Sequence, residues 1–435
     1  MAVSSPAWRN WAGNQGAEPR EIVVPRSPDE VAAVVRGAGS RGLTVRMTGA
    51  GHSFTAVAVT DGVMMRPGGL AGIRSVDAAA GLATAEAGCP LSVLNEELLS
   101  RGLALANMGD IQVQTVAGAI QTGTHGTGRD TGGMAAQVAG LELVLADGTI
   151  ASCSAEQDPE LFAAARIGLG ALGVLTAVTF RVVPAFLLEA REEPMRWDEV
   201  TGRLDELTTV NEHFEFYWFP HTEGCLTKRN NRVPGPARPL GRFRHALDDE
   251  FLSNTLFGAA CQLGHWFPPV IRPVNAVAGR ALSARSYTDA SHRVFTSPRR
   301  VRFKEQEYAI PREALGAALA EIRALLARRD WRISFPIEVR VTPGDDVWLS
   351  TAYGRDSAYI ACHVFHASPH QEYFREVEAV LTAAGGRPHW GKLHTRQAGY
   401  LRGAYPRFGD FVALRDKLDP ERRFGNAYLA QVLGP

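Results

Sequence analysis

Cysteine is scarce in this 435-residue chain. The five that occur, Cys89, Cys153, Cys225, Cys261 and Cys362, are odd in number, far apart and never in a C-x-x-C pair. That argues against a disulfide framework or a zinc knuckle and fits a reducing cytoplasm. Neither charge is in excess: 46 basic residues balance 46 acidic ones, so no nucleic-acid partner is expected and any basic site must be local. No stretch reaches the ~18 uninterrupted apolar residues of a membrane span. The richest candidate, Phe257 to Val277, is broken by Gln262, His265, Arg272 and three prolines, and no stable membrane association is expected. Met1 to Gln15 has no apolar h-region, so no secretion signal is read. There is no internal repeat, and no G-x-G-x-x-G between an early strand and helix, which disfavours a nicotinamide site.

What is present is an ordinary globular composition, 45% apolar and 21% charged, over a length that accommodates two or three domains. Glu21 to Pro25 reads as a short strand. Ser27-Pro28-Asp29-Glu30 is a helix start, with a capping serine, proline at the first position and Glu three after the cap. Val31, Val34, Val35 and Ala38 continue at helical spacing until Gly42. Leu43 to Met47 is a second strand, which breaks into Gly49-Ala50-Gly51 followed by His52, Ser53 and Thr55. Glycines one residue apart let the backbone turn with positive φ, and successive N–H groups in such a turn can form a concave anion site. By residue type alone, His52 reads as an imidazole bonded within its own loop.

Downstream, short strands and turns run from Met64 to Val93, and Leu91 to Leu99 is a short amphipathic helix. A second glycine-rich block, Asn107 to Gly128, suits either a flexible loop or a surface packed against a bulky ligand. Asp147-Gly148 marks a hairpin, Asp158-Pro159 caps a helix to about Ile167, and Gly168, Gly170 and Gly173 lead into a strand, Val174 to Val183. After Pro184 come longer alternating strands at His213–Phe219, Arg300–Ile310, Ile333–Val341 and Tyr359–His366, with helices at Pro311–Arg329 and Gln371–Ala384. Lys228 to Leu247 reads as a long surface loop.

On the strand Ile333–Val341, period two puts Phe335, Ile337, Val339 and Val341 on one face and Glu338 and Arg340 on the other. The pair is either a surface charge couple or an arginine fork held by a carboxylate. Lys392, in His389-Trp390-Gly391-Lys392, reads as an exposed lysine after a glycine turn. His363 and His366, three apart on a strand, point to opposite faces, so no metal site is expected. Whether His363 joins Glu338 and Arg340 depends on strand phase.

In this order the segments resemble the vanillyl-alcohol-oxidase family of FAD enzymes. Within it they are most similar to the sugar-1,4-lactone and alditol oxidase group, of the bacterial L-gulono-1,4-lactone dehydrogenase/oxidase type. The resemblance rests on Pro25–Val31, Gly49–Ser53, Asn107–Gly128, Gly170–Thr176, Phe335–Arg340, Leu349–Asp356, His389–Lys392 and Phe424–Leu429, and covers nearly the whole chain. It implies an α+β, two-domain FAD-binding fold of the PCMH/VAO type. The implied parts are a flavin-binding domain over residues 1–184, a substrate-binding cap domain with an antiparallel sheet over 185–385, and a segment returning to the flavin over 386–435. The implied cofactor is FAD, covalent through His52, with Gly49, Ala50, Gly51 and Ser53 cradling its pyrophosphate. Further cofactor contacts are implied at Gly109, Asp110, Gly118, Gly123, Thr124, His125, Gly126, Val174 and Asn426.

Catalytic roles are implied for Glu338, Arg340 and Lys392, with His363 beside them. The expected reaction moves hydride from a hydroxyl-bearing carbon of an aldono-1,4-lactone, L-gulono-1,4-lactone-like, to flavin N5. Reoxidation follows by O2 or a redox carrier. The alternatives are a polyol (sugar-alcohol) oxidase on the same scaffold and a flavin-binding protein without turnover. Gly109, placed by the resemblance beside the reactive ring edge, is expected to leave space for O2, and Asp110 to disfavour the charge that builds as O2 is reduced.

Overall fold

The computed structural model describes residues 7–241, 254–281 and 283–435. Helix α1 (Pro28–Ser40) forms where its capping residues place it: Ser27 Oγ accepts from Glu30 N at 3.1 Å, and Glu30 Oε2 accepts from Arg26 N at 2.8 Å. It buries Val31, Ala32, Val35 and Ala38 against three parallel strands, β1 (Glu21–Val23), β2 (Val45–Met47) and β3 (Val63–Met65), paired in the order β1-β3-β2. A second, antiparallel sheet follows. Its five strands are β4 (Ile73–Asp77), β5 (Leu82–Glu86), β6 (Val138–Val144), β7 (Ile150–Ser154) and β8 (Val174–Arg181), in the order β7-β6-β8-β5-β4. The β6–β7 turn is the Asp147-Gly148 hairpin, with Gly148 at φ +84°.

From residue 187 the chain builds an eight-stranded antiparallel sheet. Its strands are β9 (Leu187–Arg196), β10 (His213–Trp218), β11 (Gly224–Val233), β12 (Arg285–Ala290), β13 (Phe303–Pro311), β14 (Ile337–Thr342), β15 (Ser357–Phe365) and β16 (Arg387–Pro388). They lie in the order β12-β9-β11-β10-β14-β15-β13-β16. Alternation decides what each face meets. Phe214, Phe216, Ile310, Ile337, Val339, Ile360 and Cys362 pack beneath helices α2 (Leu315–Arg328) and α3 (Gln371–Ala383). Full burial of each large apolar side chain there contributes about 1.5–3 kcal/mol. The opposite face carries His213, Glu215, Glu305, Glu307, Glu338, Arg340 and His363, and all seven are buried. A sheet covered on both sides, with charges on one of them, is the frame of the site.

The C-terminal residues close back on the first strands. Phe424 joins the core of α1 and β2. Asn426 caps the last helix, α4 (Ala427–Leu433), by accepting from Leu429 N, and its Nδ2 donates to Ala56 O, Val57 O and Val59 O at 2.9–3.2 Å.

Three departures from the sequence reading concern the large sheet. Lys228 to Val233 is strand, not loop: β11 pairs with both β9 and β10, which sets Lys228 opposite Glu192 and Glu215. Residues 242–247 of that expected loop lie outside the described residues. Ile333 to Pro336 precede β14 rather than begin it; Pro336 has no N–H to give a ladder, and Phe335 packs on Cys261 and Phe365. Strands β9 and β12 were not read at all, because their charged residues mask the alternation. No helix among the described residues is long and apolar enough to cross a membrane.

Candidate functional site

β2 ends at Met47, and the Gly49-Ala50-Gly51 turn after it forms one wall of a cavity. Thr115, the N-cap of a short helix at Val116–Gln121, and Gly118 within that helix face this turn. A Cβ on Gly49 would lie 2.8 Å from Thr115 Oγ1 and 3.5 Å from Gly118 Cα, so the two segments meet at backbone distance. Arg46 ties the floor together. Its Nη1 donates to Gly170 O and Phe424 O at 2.8 Å, and its Nη2 to Val57 O at 2.5 Å and Leu169 O at 2.7 Å. Burial lowers this guanidinium to about 10, which leaves it charged at neutral pH. Gln114 Oε1, on a residue of the cavity wall, is buried without a hydrogen-bond partner. An orphaned acceptor beside a Cβ-free cradle is what a bound polar ligand with a donor would complete.

His52 also lines the cavity, its ring stacked on Trp11 with centroids 5.1 Å apart. Burial, followed by the charge of Lys392, lowers it to about 4 against the opposing pull of Asp110. The imidazole is therefore neutral at physiological pH and keeps a nucleophilic lone pair.

Next to this wall stands the polar face of the large sheet. Arg340 Nε donates to Glu215 Oε2 at 2.8 Å, and its Nη2 pairs with Glu338 Oε1 and lies 3.7 Å from Asp110 Oδ2. Asp110 Oδ2 in turn accepts from Arg299 Nη2 at 2.8 Å. Burial would push the Asp110 carboxyl up, but Arg299 and Arg340 outweigh it and hold it well below the usual carboxylate range. Glu338 goes the other way: burial, with Asp110 and Glu215 close by, pushes it up in spite of Arg340. Tyr217 OH lies 3.1 Å from Glu215 Oε1 and 3.1 Å from Glu338 Oε1. One phenol proton cannot serve two carboxylates. The arrangement has room for one more proton, and Glu338 is the group raised to hold it.

A second cluster surrounds Lys392. The Trp390-Gly391 turn is pinned by Phe54 N donating to Gly391 O at 2.7 Å and by Trp390 Nε1 donating to Leu349 O at 2.7 Å. Lys392 Nζ pairs with Glu305 Oε2. Glu305 Oε1 lies 3.4 Å from His363 Nε2, and His363 Nδ1 lies 3.2 Å from Pro336 O. Burial opposes ionisation of Glu305, yet Lys392 and His363 bring it down to about 2. Glu305 and Glu307 likewise keep Lys392 above its ordinary value against burial. Beyond lie His125, 3.3 Å from Glu307 and stacked on Tyr359 at 3.6 Å, and His389. His125, Glu307 and His389 bring candidate metal-ligand atoms within 4.8 Å of one another. Both nitrogens of His389 are already engaged, however: Nε2 with Gly123 O at 3.1 Å and Nδ1 with Gly391 N at 3.1 Å. That ring has no lone pair left for an ion.

Of the residues singled out in the sequence, Gly49, Ala50, Gly51, His52, Ser53, Gly118 and Val174 line the cavity. Glu338, Arg340, Lys392 and His363 lie together on or beside the sheet face, with Asp110. Gly109, Asp110, Gly123, Thr124, His125, Gly126 and Asn426 are not on the cavity wall. Gly123, at φ +80°, turns the chain away from the cavity toward the sheet, and this carries His125 to Glu307. Asn426 holds the 56–59 segment, whose Val57 and Ala58 line the wall. Gly109 does not face open space: a Cβ there would lie 2.9 Å from Thr124 Cγ2. Sequence reasoning missed Arg46, Gln114 and Thr115 on the wall, and Glu215, Tyr217, Arg299, Glu305 and Glu307 at the sheet. The alternation His213-Phe214-Glu215-Phe216-Tyr217 was a usable signal for two of these.

Comparison with known proteins places these features in a wider group. The D-arabinono-1,4-lactone oxidase family pattern matches residues 178–432, and the FAD binding domain pattern matches residues 19–154. The chain is 42% identical to L-gulono-1,4-lactone dehydrogenase of Mycobacterium tuberculosis over 99% of this chain and 100% of that one. It is 35% identical to L-gulonolactone oxidase of Bos taurus over 98% of each, and 31% identical to alditol oxidase of a Streptomyces species over 99% of each. In fold it is similar to cholesterol oxidase from B. sterolicum, with a TM-score of 0.82 and 19% identity over 99% of this chain and 96% of that one.

Proposed function

The chain belongs to the D-arabinono-1,4-lactone oxidase family, and from that premise we propose that it is an FAD-dependent oxidoreductase acting on an aldono-1,4-lactone of the L-gulono-1,4-lactone kind. The observation that carries this reading is a pair of cations beside the cavity, Arg340 buried on the sheet face and Lys392 half-buried next to it. Arg340 is held by Glu215 and Glu338, and Lys392 by Glu305.

The fit to FAD rests on the cradle between Gly49 and Gly118 and on the orphaned Gln114 Oε1. Gly49, Ala50, Gly51 and Ser53 would hold the pyrophosphate through backbone N–H groups, and His52 would carry the covalent link. FAD, when bound, supplies the two-electron acceptor for the hydride. The protein supplies the rest. Arg340 and Lys392 bind the substrate oxygens and favour negative charge on the oxygen from which the proton departs. Glu338 takes the hydroxyl proton, with Tyr217 joining it to Glu215. The buried cluster keeps bulk water away from the reacting carbon. O2 or a redox carrier then takes the electrons.

Anaerobic mixing of the purified yellow protein with a panel of lactones and polyols tests the substrate class. L-Gulono-1,4-lactone is expected to bleach the flavin absorbance at lower concentration than xylitol or sorbitol. A protein bleached by polyols alone would be an alditol oxidase, and one bleached by neither would be a binder without turnover. The pH profile tests the base. Glu338 must be ionised to accept a proton, and its folded value is raised above the ordinary 4.5. The rate kcat/KM is therefore expected to fall as pH drops, with a midpoint above 4.5, and Glu338→Gln should abolish that acid limb.

A further inference from the structure

Residues 8–17 stand outside the three-, five- and eight-stranded sheets. They form a hairpin whose strands, Trp8–Arg9 and Gly16–Ala17, are two residues each. A ribbon of that size has little stability of its own. Its loop, Asn10-Trp11-Ala12-Gly13-Asn14-Gln15, is tied to the segment that carries His52. Trp11 N donates to Gly51 O at 2.8 Å, and Asn10 Nδ2 donates to Ser53 O at 3.0 Å. Asn14 Nδ2 and Gln15 Nε2 both donate to Phe54 O at 2.9 Å. Asn10 is itself locked: its Oδ1 accepts from Gln15 N at 3.0 Å, and its Nδ2 also donates to Asn14 Oδ1 at 2.7 Å.

These bonds fix the peptide planes around His52. In a trans peptide the C=O and the N–H that follows it point opposite ways. The hairpin holds Gly51 O, so the His52 N–H points away from the hairpin. The Ser53–Phe54 peptide is held at both ends, Ser53 O by Asn10 Nδ2 and Phe54 N by Gly391 O at 2.7 Å. The imidazole is held by a different means. Among the described residues no hydrogen bond restrains it, and its plane is set by the Trp11 ring, stacked on it at 5.1 Å with 23° between the planes. Trp11 is braced in turn by Phe303, edge-on at 5.2 Å. Four donors therefore converge on three carbonyls of one turn, and an indole on the ring that the turn carries. A nucleophile reacts well only when held along its line of attack, and a misplacement of about 1 Å can cost on the order of a hundredfold in rate.

We propose that the Asn10–Gln15 loop positions His52 for bonding to the flavin, so that the rate of attachment, and not the binding of FAD, depends on this hairpin. The inference rests on the reading that His52 carries the cofactor. In that step the imidazole lone pair forms an N–C bond to a methyl carbon of the flavin ring, and one C–H bond of that carbon breaks. Its electron pair enters the ring system, followed by its proton and by the proton that the second imidazole nitrogen sheds. O2 or the redox carrier then takes the electron pair, as it does in turnover. The quantities to measure are acid-precipitable flavin in protein harvested at intervals after induction and total flavin in the same protein before denaturation. Trp11→Ala should accumulate acid-stable flavin on the order of tenfold more slowly than the wild type, with native flavin content near that of the wild type. Trp11→Phe, which restores a stacking ring, should recover most of the rate. Asn14→Ala/Gln15→Ala, which leaves Trp11 in place, should slow attachment by a smaller factor. Wild-type flavin that comes free in acid would remove the covalent link and the inference with it. A wild type that keeps its flavin, beside variants that attach theirs equally fast, would leave the link standing and overturn the role of the hairpin alone. Variants that lose flavin before denaturation would overturn it too, by making the hairpin a part of binding.

Discussion

Arg340→Lys is expected to lower kcat/KM by on the order of a hundredfold while moving the melting temperature little. Lysine keeps a positive charge among Glu215, Glu338 and Asp110, so no buried carboxylate is left without a counter-ion. What it loses is the fork. Arg340 reaches Glu215 through Nε at 2.8 Å and Glu338 through Nη2, which leaves Nη1 as the donor proposed to meet a substrate oxygen. One ammonium on a flexible stem cannot hold both carboxylates and still present that donor. Arg340→Met gives the contrast. It removes the charge from a site where three carboxylates converge, so it should cost about 3–5 kcal/mol of stability. Steady-state kinetics beside thermal melts of both variants separate catalysis from folding. An Arg340→Lys enzyme of near wild-type activity would show that the arginine is there for the sheet and not for the substrate.

Acid precipitation of the wild type is expected to bring the yellow colour down with the polypeptide, and His52→Ala to leave all of it in the supernatant. The reasons lie in the imidazole's surroundings. It lines the cavity, it is neutral because burial and Lys392 bring it down to about 4, and Trp11 holds its plane. A neutral, oriented nitrogen is the form able to make a bond to carbon. No cysteine lies in the Gly118–Gly128 segment to offer a second attachment. Gly49, Gly118 and Arg46 are untouched by the substitution, so His52→Ala should still bind flavin, though reversibly. Release of wild-type flavin into acid would sink the covalent link while leaving a tight non-covalent site intact.

The two halves of the site differed in how readable they were. The turn at Gly49–Ser53 could be read because its signal is local: glycine spacing, then a histidine and a hydroxyl. The Glu338–Arg340 phase could be read because β14 alternates cleanly. Glu215, Glu305 and Glu307 could not. A carboxylate every second residue on a strand has the pattern of a solvent face, and only the pairing of β10 with β14 and of β13 with β15 turns that face inward. Arg299 was hidden for a related reason, since it precedes β13 and meets Asp110 from 189 residues away. The Asn107–Gly128 block was read as one surface, but Gly118 goes to the cavity and His125 to the sheet, because a left-handed glycine at 123 parts them.

Arg46 has a consequence for the order of events in the life of the chain. Its guanidinium bonds Phe424 O across 378 residues of sequence, and Phe424 itself forms part of the cavity wall. At about 5–20 residues per second, translation from one to the other takes roughly 20–75 s. By residue 175 the nascent chain already carries every wall residue but Phe424. Until that aromatic arrives, Arg46 lacks one of its four carbonyl acceptors and the wall is incomplete. Closure of the pocket is therefore an event of the nearly finished chain.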